Sequence, residues 1–251
     1  MEDKLNNETI VVFGATSAVA QKLAQIHAQA GDTLILVARN EDRLNTVAAD
    51  LLARGSPQVD CLTSDFDIIQ DHPSLLKKIE EKSSNISKYY FFYGILPDQK
   101  ECEASWEATH KALMTNLLSV MSLLTNIANK IEKETNKGLI VVSSVAGDRG
   151  RQSNYIYGTG KGALTIFLQG LRNRLHKSSC SVTTIKPGFI DTPMTQDFKK
   201  GALWATPEKV AQDIYKAACN RKNEVYSPSF WMVIMLVIKN IPETIFKRLN
   251  L

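Results

Sequence analysis

Short apolar, β-branched runs recur along the chain at TIVVFG (9–14), TLILVA (33–38), VDCLTSD (59–65), KYYFFYG (88–94), GLIVVSS (138–144) and SVTTIKPG (181–188). Between them lie longer stretches in which apolar residues return every three or four positions, such as AVAQKLAQIHAQA (18–30) and EASWEATHKALMTNLLSVMSLLTNIANKIEKE (103–134). The first kind of run reads as strand and the second as helix, with room for two helices in 103–134. Strand alternating with helix predicts a parallel sheet covered on both faces. The expected fold is a single α/β domain with a doubly wound parallel sheet over residues 1–228, followed by an apolar helical tail over 229–251. No fixed-period repeat or Gly/Ser-rich linker divides the chain.

Composition narrows the partners. A chain of 251 residues, 44% hydrophobic and 22% charged, is long enough to bury one sizeable core. Its formal charge of +4 comes without a long basic run, so nucleic acid is not an expected partner. Cys61, Cys102, Cys180 and Cys219 are far apart, fit no metal-ligand spacing, and read as free thiols of a reducing compartment; no metal is expected. The opening MEDKLNNE is polar and acidic where a secretory signal is positive and then apolar, which predicts a cytoplasmic protein.

Two places carry candidate chemistry. After the first strand comes GATSAVA, in which Gly14 gives a tight turn, Thr16 and Ser17 offer hydroxyls, and the following helix points free N–H groups outward, a geometry that favours phosphate. Ala18 and Ala20 stand where a dinucleotide fingerprint has its second and third glycines, so the loop alone also reads as a plain strand-turn-helix junction. The second strand ends in VARN; Ala38 cannot bond a ribose hydroxyl, whereas Arg39 can pair with a 2′-phosphate, which favours NADP over NAD. The alternative for Arg39 is a solvated surface arginine, with Glu41 and Asp42 near enough to neutralise it.

The second place is YIYGTGKGALTIFLQGLRNRL, where Lys161 follows Tyr157 by four residues and shares its helix face, while Tyr155 points elsewhere. An adjacent ammonium favours phenolate, so Lys161 is expected to lower the Tyr157 pKa toward neutrality. A carbonyl under reduction needs a proton donor and a second hydrogen bond on its oxygen. Ser144, at the carboxyl end of GLIVVSS, is the candidate for the second. Tyr-x-x-x-Lys by itself is a frequent accident, and a surface helix with a tyrosine stacked on a lysine stem satisfies it equally.

Taken in order, these residues resemble the short-chain dehydrogenase/reductase family of the compact kind, from residue 9 to about residue 228. GATSAVA stands at its glycine loop, TSDFD places Asp65 as its adenine-contacting acid, and SSVAG, thirteen residues before Tyr157, selects Ser144 over Ser143. The resemblance implies a Rossmann-like fold, catalytic roles for Asn116, Ser144, Tyr157 and Lys161, and a water link from Asn116 in MTNLLSV to Lys161. It implies cofactor contacts at Gly14, Thr16, Ser17, Ala18, Val19, Arg39, Asn40, Asp65, Phe66, Gly94, Tyr157 and Lys161. In KPGFIDTPM it implies that Pro187, Gly188, Ile190 and Thr192 line the nicotinamide side. It also implies a homodimer or homotetramer. Two departures stand out: the alanines at 18 and 20, and FFYG in place of Asn-Asn-Ala-Gly, keeping only Gly94. Gly158, Gly160 and Gly162 crowd the Tyr157 helix, read either as close approach of a cofactor or partner helix or as merely tolerated.

The tail contains nine successive apolar residues, Phe230 to Ile238. As a helix they cover about 14 Å, roughly half of a ~30 Å hydrocarbon layer, and cannot span a membrane. Two readings stay open: packing on a neighbouring subunit, or an interfacial anchor with Phe230 and Trp231 at the lipid boundary and Lys239, Lys247 and Arg248 on anionic head groups. FGATSAVA, YGILPDQ and this ending resemble the branch of the family that holds reductases of polyprenyl-phosphate-linked keto-pentoses. The expected activity is NADPH-dependent reduction of a ketone on a small or lipid-linked substrate, peripheral to the inner face of the membrane. The alternatives are a 3-oxoacyl-thioester reductase and a non-catalytic nucleotide-binding membrane scaffold. Nucleotide-sugar epimerases share the fold but add a substrate domain for which this chain lacks length.

Overall fold

The computed structural model describes residues 7–249; residues 1–6, on which most of the N-terminal reading rests, and 250–251 lie outside the described residues. In chain order the elements are β1 (Thr9–Phe13), α1 (Ala18–Gln29), β2 (Thr33–Ala38), α2 (Glu41–Ala53), β3 (Val59–Thr63), α3 (His72–Lys82) and β4 (Lys88–Phe91). Then come α4 (Gln99–Ala104), α5 (Trp106–Leu113), α6 (Ser119–Ile131), β5 (Gly138–Val142), α7 (Tyr155–Leu175), β6 (Ser181–Pro187), β7 (Phe189–Ile190) and β8 (Trp204–Ala205). The chain closes with α8 (Pro207–Cys219), β9 (Glu224–Ser227), α9 (Trp231–Asn240) and α10 (Glu243–Phe246).

The main sheet is parallel throughout, in the order β3-β2-β1-β4-β5-β6-β9. Alternate side chains of the central strands feed two cores. Ile10, Val12, Leu34, Leu36, Tyr90 and Ile140 pack under α1, α2 and α8, while Val11, Phe13, Ile35, Val37, Phe91 and Leu139 pack under α3, α6 and α7. Burial on both faces is why these strands read as unbroken apolar runs. Strand order reverses between β1 and β4, and in open sheets of this kind a crevice opens there beyond the carboxyl ends of the strands. The expected doubly wound sheet is present.

Two details differ from expectation. The 103–134 stretch is three helical pieces rather than two helices: Ser105 caps α5 by accepting from the Ala108 N–H (3.2 Å), and a π-type turn at Met114–Leu118 separates α5 from α6. The seventh strand, β9, was not expected; EVYS is short, begins with an exposed glutamate and lies at the sheet edge, so its apolar signal is weak.

Candidate active site

The turn after β1 has the conformation its glycine permits. Gly14 sits at φ +78°, and a Cβ there would stand 2.7 Å from the Tyr93 backbone nitrogen, so both torsion and space require glycine. Ser17 caps α1 by accepting from the Ala20 N–H (3.3 Å), leaving the other first-turn N–H groups facing the crevice. Ala18 and Val19 open α1, and Ala20 is fully buried against the core, where its methyl is accommodated.

At the end of β2, Arg39 is exposed and, among the described residues, has no hydrogen bond or ion pair; Glu41 and Asp42 do not neutralise it. Asn40 Oδ1 accepts from the Arg43 N–H (2.8 Å) as the cap of α2. Arg43, which sequence reasoning passed over, donates from Nη2 to the Thr16 carbonyl (3.0 Å) and ties the phosphate turn to α2 beside Arg39. Asp65 is exposed and accepts from the Asp67 N–H (3.1 Å). Phe66 is buried, with its ring stacked on Tyr93 at 4.2 Å and its carbonyl in hydrogen-bond contact with His72 Nε2 (2.9 Å). That stack is what FFYG contributes in place of small residues.

On the catalytic side, Lys161 is 4% exposed and donates from Nζ to the Val142 carbonyl at the end of β5 (3.0 Å). Asn116, in the π-type turn, grips the loop after β4 from both sides: the Ile95 N–H donates to its Oδ1 and its Nδ2 donates to the Ile95 carbonyl, each at 2.8 Å. A Cβ on Gly94 would stand 2.7 Å from Asn116 Oδ1 and 3.6 Å from Lys161 Nζ, so glycine lets these two side chains share one corner. Ser143 turns inward, donating to the Lys161 carbonyl (3.0 Å), whereas the Ser144 hydroxyl oxygen accepts from the Ala146 N–H (3.1 Å) and lies near enough to the Tyr157 hydroxyl to lower its pKa.

The glycines of α7 have a cause that spacing did not suggest. A Cβ on Gly158 would stand 2.8 Å from the Ala146 carbonyl oxygen, and one on Gly162 would stand 2.9 Å from that of Gly147. The close neighbour is this chain's own: the loop carrying Ser144 lies with its backbone directly on the helix carrying Tyr157. Gly160 is different, its nearest neighbour being Asn116 Cβ at an ordinary 3.5 Å.

The pKa of Tyr157 moves against expectation. Burial pushes the phenol above its ordinary range, and the nearby Ser144 hydroxyl offsets only part of this. Lys161 does not pull it down, because burial drives its own pKa to about 8 and its ammonium is turned to the Val142 carbonyl, 5.9 Å from the Tyr157 ring centre. A phenol that keeps its proton is suited to donating it.

The remaining wall is built by the segment after β6 and by the tail. Pro187 ends β6, the Gly188 N–H donates to the Ser227 carbonyl (3.1 Å), and Ile190 belongs to the small β7–β8 pair. Thr192 caps the following turn with Thr195. A Cβ on Gly188 would occupy the space of the Trp231 indole. Trp231 of α9, only 3% exposed, packs with Met235 on Val145, next to Ser144, and edge-on to Phe189 at 5.6 Å. Behind that loop, Asp148 is held by Lys186 (2.7 Å) and the Tyr226 hydroxyl (2.6 Å). Arg149 reaches the tail, donating to the carbonyls of Ile238 and Ile241 (2.6 Å each) and to Glu243 (2.9 Å). None of these contacts was visible in the sequence, since the partners are 38 to 94 residues apart.

Comparison with known proteins agrees with this arrangement. The family profile described as short chain dehydrogenase matches residues 8–202. A protein of Mycobacterium tuberculosis described as an uncharacterized oxidoreductase is 32% identical over 240 residues, covering 96% of each chain. An 11-beta-hydroxysteroid dehydrogenase-like protein of Arabidopsis thaliana is 26% identical over 261 residues, covering 98% of this chain and 85% of its own. Among solved structures, a short-chain dehydrogenase from Sphingobium yanoikuyae in complex with NADPH superposes with a TM-score of 0.81 over 94% of this chain and 97% of that one, at 19% identity. An actinorhodin polyketide ketoreductase with NADPH superposes with a TM-score of 0.77 over 89% and 96%, also at 19% identity. At that identity the likeness is one of fold.

Proposed function

The chain belongs to the short-chain dehydrogenase family, and within it we propose an NADPH-dependent reductase that converts a ketone into a secondary alcohol. The observation that carries this reading is the grouping of Ser144 and Lys161, both buried, with Tyr157 one helical turn before Lys161 and its phenol kept protonated by burial. Bound NADPH would supply the hydride. The Gly14 turn and the start of α1 fit its pyrophosphate, and the unpaired Arg39 fits the 2′-phosphate. Pro187, Gly188, Ile190 and Thr192 would border its nicotinamide.

The chain's own residues then handle the oxygen. Ser144 donates a hydrogen bond that orients the carbonyl, and Tyr157 gives up its hydroxyl proton as negative charge grows there. Lys161, turning from the Val142 carbonyl to the crevice, supports the phenolate that remains. Asn116 keeps the Gly94–Ile95 backbone from closing on Lys161.

The substrate in this reading is lipid-linked, with a keto-sugar head. Its support is the tail: Met232, Val233, Leu236 and Val237 of α9 are all exposed, and so are Met194, Phe198 and Leu203 of the loop between β7 and β8. Lys239, Lys247 and Arg248 are exposed at the same end, which suits peripheral contact with an anionic lipid surface on the cytoplasmic side. A homodimer is supported by the outer face of α7, where Ile166 is 70% exposed beside Gly170, which has open space around it.

The test is NADPH oxidation at neutral pH with a prenyl-phosphoryl keto-pentose and with an acetoacetyl thioester, using NADH as cofactor control. Tyr157→Phe is expected to lose roughly 10²- to 10⁴-fold in turnover while still binding NADPH. A mutant that keeps most of its turnover overturns the mechanism. Turnover of the thioester alone moves the substrate to acyl chains.

A further inference from the structure

The loop from Ser144 to Tyr157 contains polar groups that the proposed mechanism does not use. Arg151 lies six residues before Tyr157 and two after Arg149, the residue that holds α10 in place. Its Nε is buried without a partner, and among the described residues its guanidinium makes no hydrogen bond or ion pair. Three residues on, Asn154 Oδ1 is likewise buried without a donor. Unpaired buried polar atoms are costly and uncommon, and two in one turn beside a catalytic helix call for a guest.

Arg151 lines a cavity of about 130 Å³ between this loop and the tail, together with Gln152, Glu243, Phe246, Lys247 and Leu249. Among the described residues the one carboxylate there, Glu243, is already engaged by Arg149 Nη2 at 2.9 Å. Lys247, like Arg151, has no ion pair among the described residues. Among the described residues, the cavity therefore presents two cations without an ion-pair partner against the side chains of Phe246 and Leu249. Burial presses the Arg151 guanidinium toward losing its charge, a penalty that an oxyanion in contact with it removes.

We propose that this cavity is a subsite for a phosphate-type oxyanion carried on an apolar chain, with Arg151 as its principal donor and Lys247 as a second charge. Calling the occupant a part of the substrate rests on the reductase reading; the binding itself does not. A guanidinium fork matches such an oxyanion in two hydrogen bonds, and the Phe246 and Leu249 side chains receive the first methylenes of the chain.

The test is calorimetric titration of the full chain with dodecyl phosphate, dodecanol and inorganic phosphate, for wild type, Arg151→Gln and Arg151→Lys. Dodecyl phosphate is expected to bind wild type and to weaken roughly ten- to a hundredfold in Arg151→Gln, with Arg151→Lys between them. NADPH affinity and melting temperature serve as the check that Arg151→Gln is folded. Equal affinity in wild type and a folded Arg151→Gln overturns the subsite, as does dodecanol binding as tightly as dodecyl phosphate. Inorganic phosphate binding as tightly as dodecyl phosphate overturns the apolar half. Tyr157→Phe is expected to keep dodecyl phosphate while losing turnover. If it keeps both, the reductase reading fails and the subsite stands.

Discussion

The catalytic corner and the C-terminal tail meet on one short segment, residues 144–149, and are attached to it by opposite means. On the corner side, backbone lies against backbone: a Cβ on Gly147 would stand 2.7 Å from the Gly162 nitrogen, and one on Gly162 2.9 Å from the Gly147 oxygen. On the side of the tail's far end, one long side chain does the holding, with Arg149 bonded to two carbonyls and a carboxylate and stacked 3.6 Å over the Phe246 ring, while Trp231 and Met235 seat the start of α9 on Val145. The first contact has no rotatable bonds to relax, whereas the second can be released one hydrogen bond at a time. The corner should therefore open only with the whole fold, and the far end of the tail should open locally.

The largest effect expected from this contrast is electrostatic. Rigid burial puts Lys161 at a pKa of about 8, against 10.5 for an exposed lysine, a difference worth about 3 kcal/mol. Below pH 8 both folded and unfolded chains carry the ammonium, and the folded one bears the full desolvation penalty. Between about pH 8 and 10.5 the folded chain releases the proton first, so its stability rises with pH. Above pH 10 the buried phenols of Tyr89 and Tyr93, whose pKa values burial raises, begin to act in the opposite direction. Chemical denaturation of the cofactor-free protein from pH 7 to 10 should show this rise, and Lys161→Met should be about 3 kcal/mol more stable at pH 7 with the rise removed. An unchanged pH profile in the mutant would mean that the corner is wetter than the geometry implies.

Next comes the close backbone contact itself. Gly162→Ala gains helix propensity worth about 1 kcal/mol yet drives its methyl into the Gly147 carbonyl, and a net loss of about 1–3 kcal/mol is expected. Gly170→Ala on the same helix meets nothing within 4 Å and should stabilise by about 0.5–1 kcal/mol. Urea denaturation of the pair gives opposite signs if the corner is rigid. Two gains would show that the Ser144 loop moves aside at little cost.

The same contrast explains what the sequence made legible. Tyr157 and Lys161 are four residues apart on a helix, Gly14 follows directly on a strand, and five of the six expected strands, all but the edge strand β3, are largely buried, so local pattern was enough for each. The reason for Gly158 and Gly162 was hidden because their neighbours belong to another loop. The direction of the Tyr157 shift was misjudged because spacing reports that a lysine is near but not that both groups are desolvated. Arg149 looked like an ordinary loop residue, and Trp231, expected at a lipid boundary, is instead buried on Val145; in both cases the partners are far away in the chain.

The smallest effect separates the two regions most directly. Arg149→Met keeps much of the side-chain volume but removes every donor, leaving the Ile238 and Ile241 carbonyls and the Glu243 carboxylate to water. That end of the tail is half exposed, so water replaces most of what is lost and the cost should be about 1 kcal/mol, confined to residues 239–249. Trp231 and Met235 remain buried on Val145 and keep the first turns of α9 seated. Hydrogen exchange should then speed up about fivefold in α10 and at the end of α9, with amides of 144–147 unchanged. If protection around Ser144 fell in step, the tail and the corner would be one cooperative unit, and the difference between a backbone contact and a side-chain latch would carry no weight in this fold.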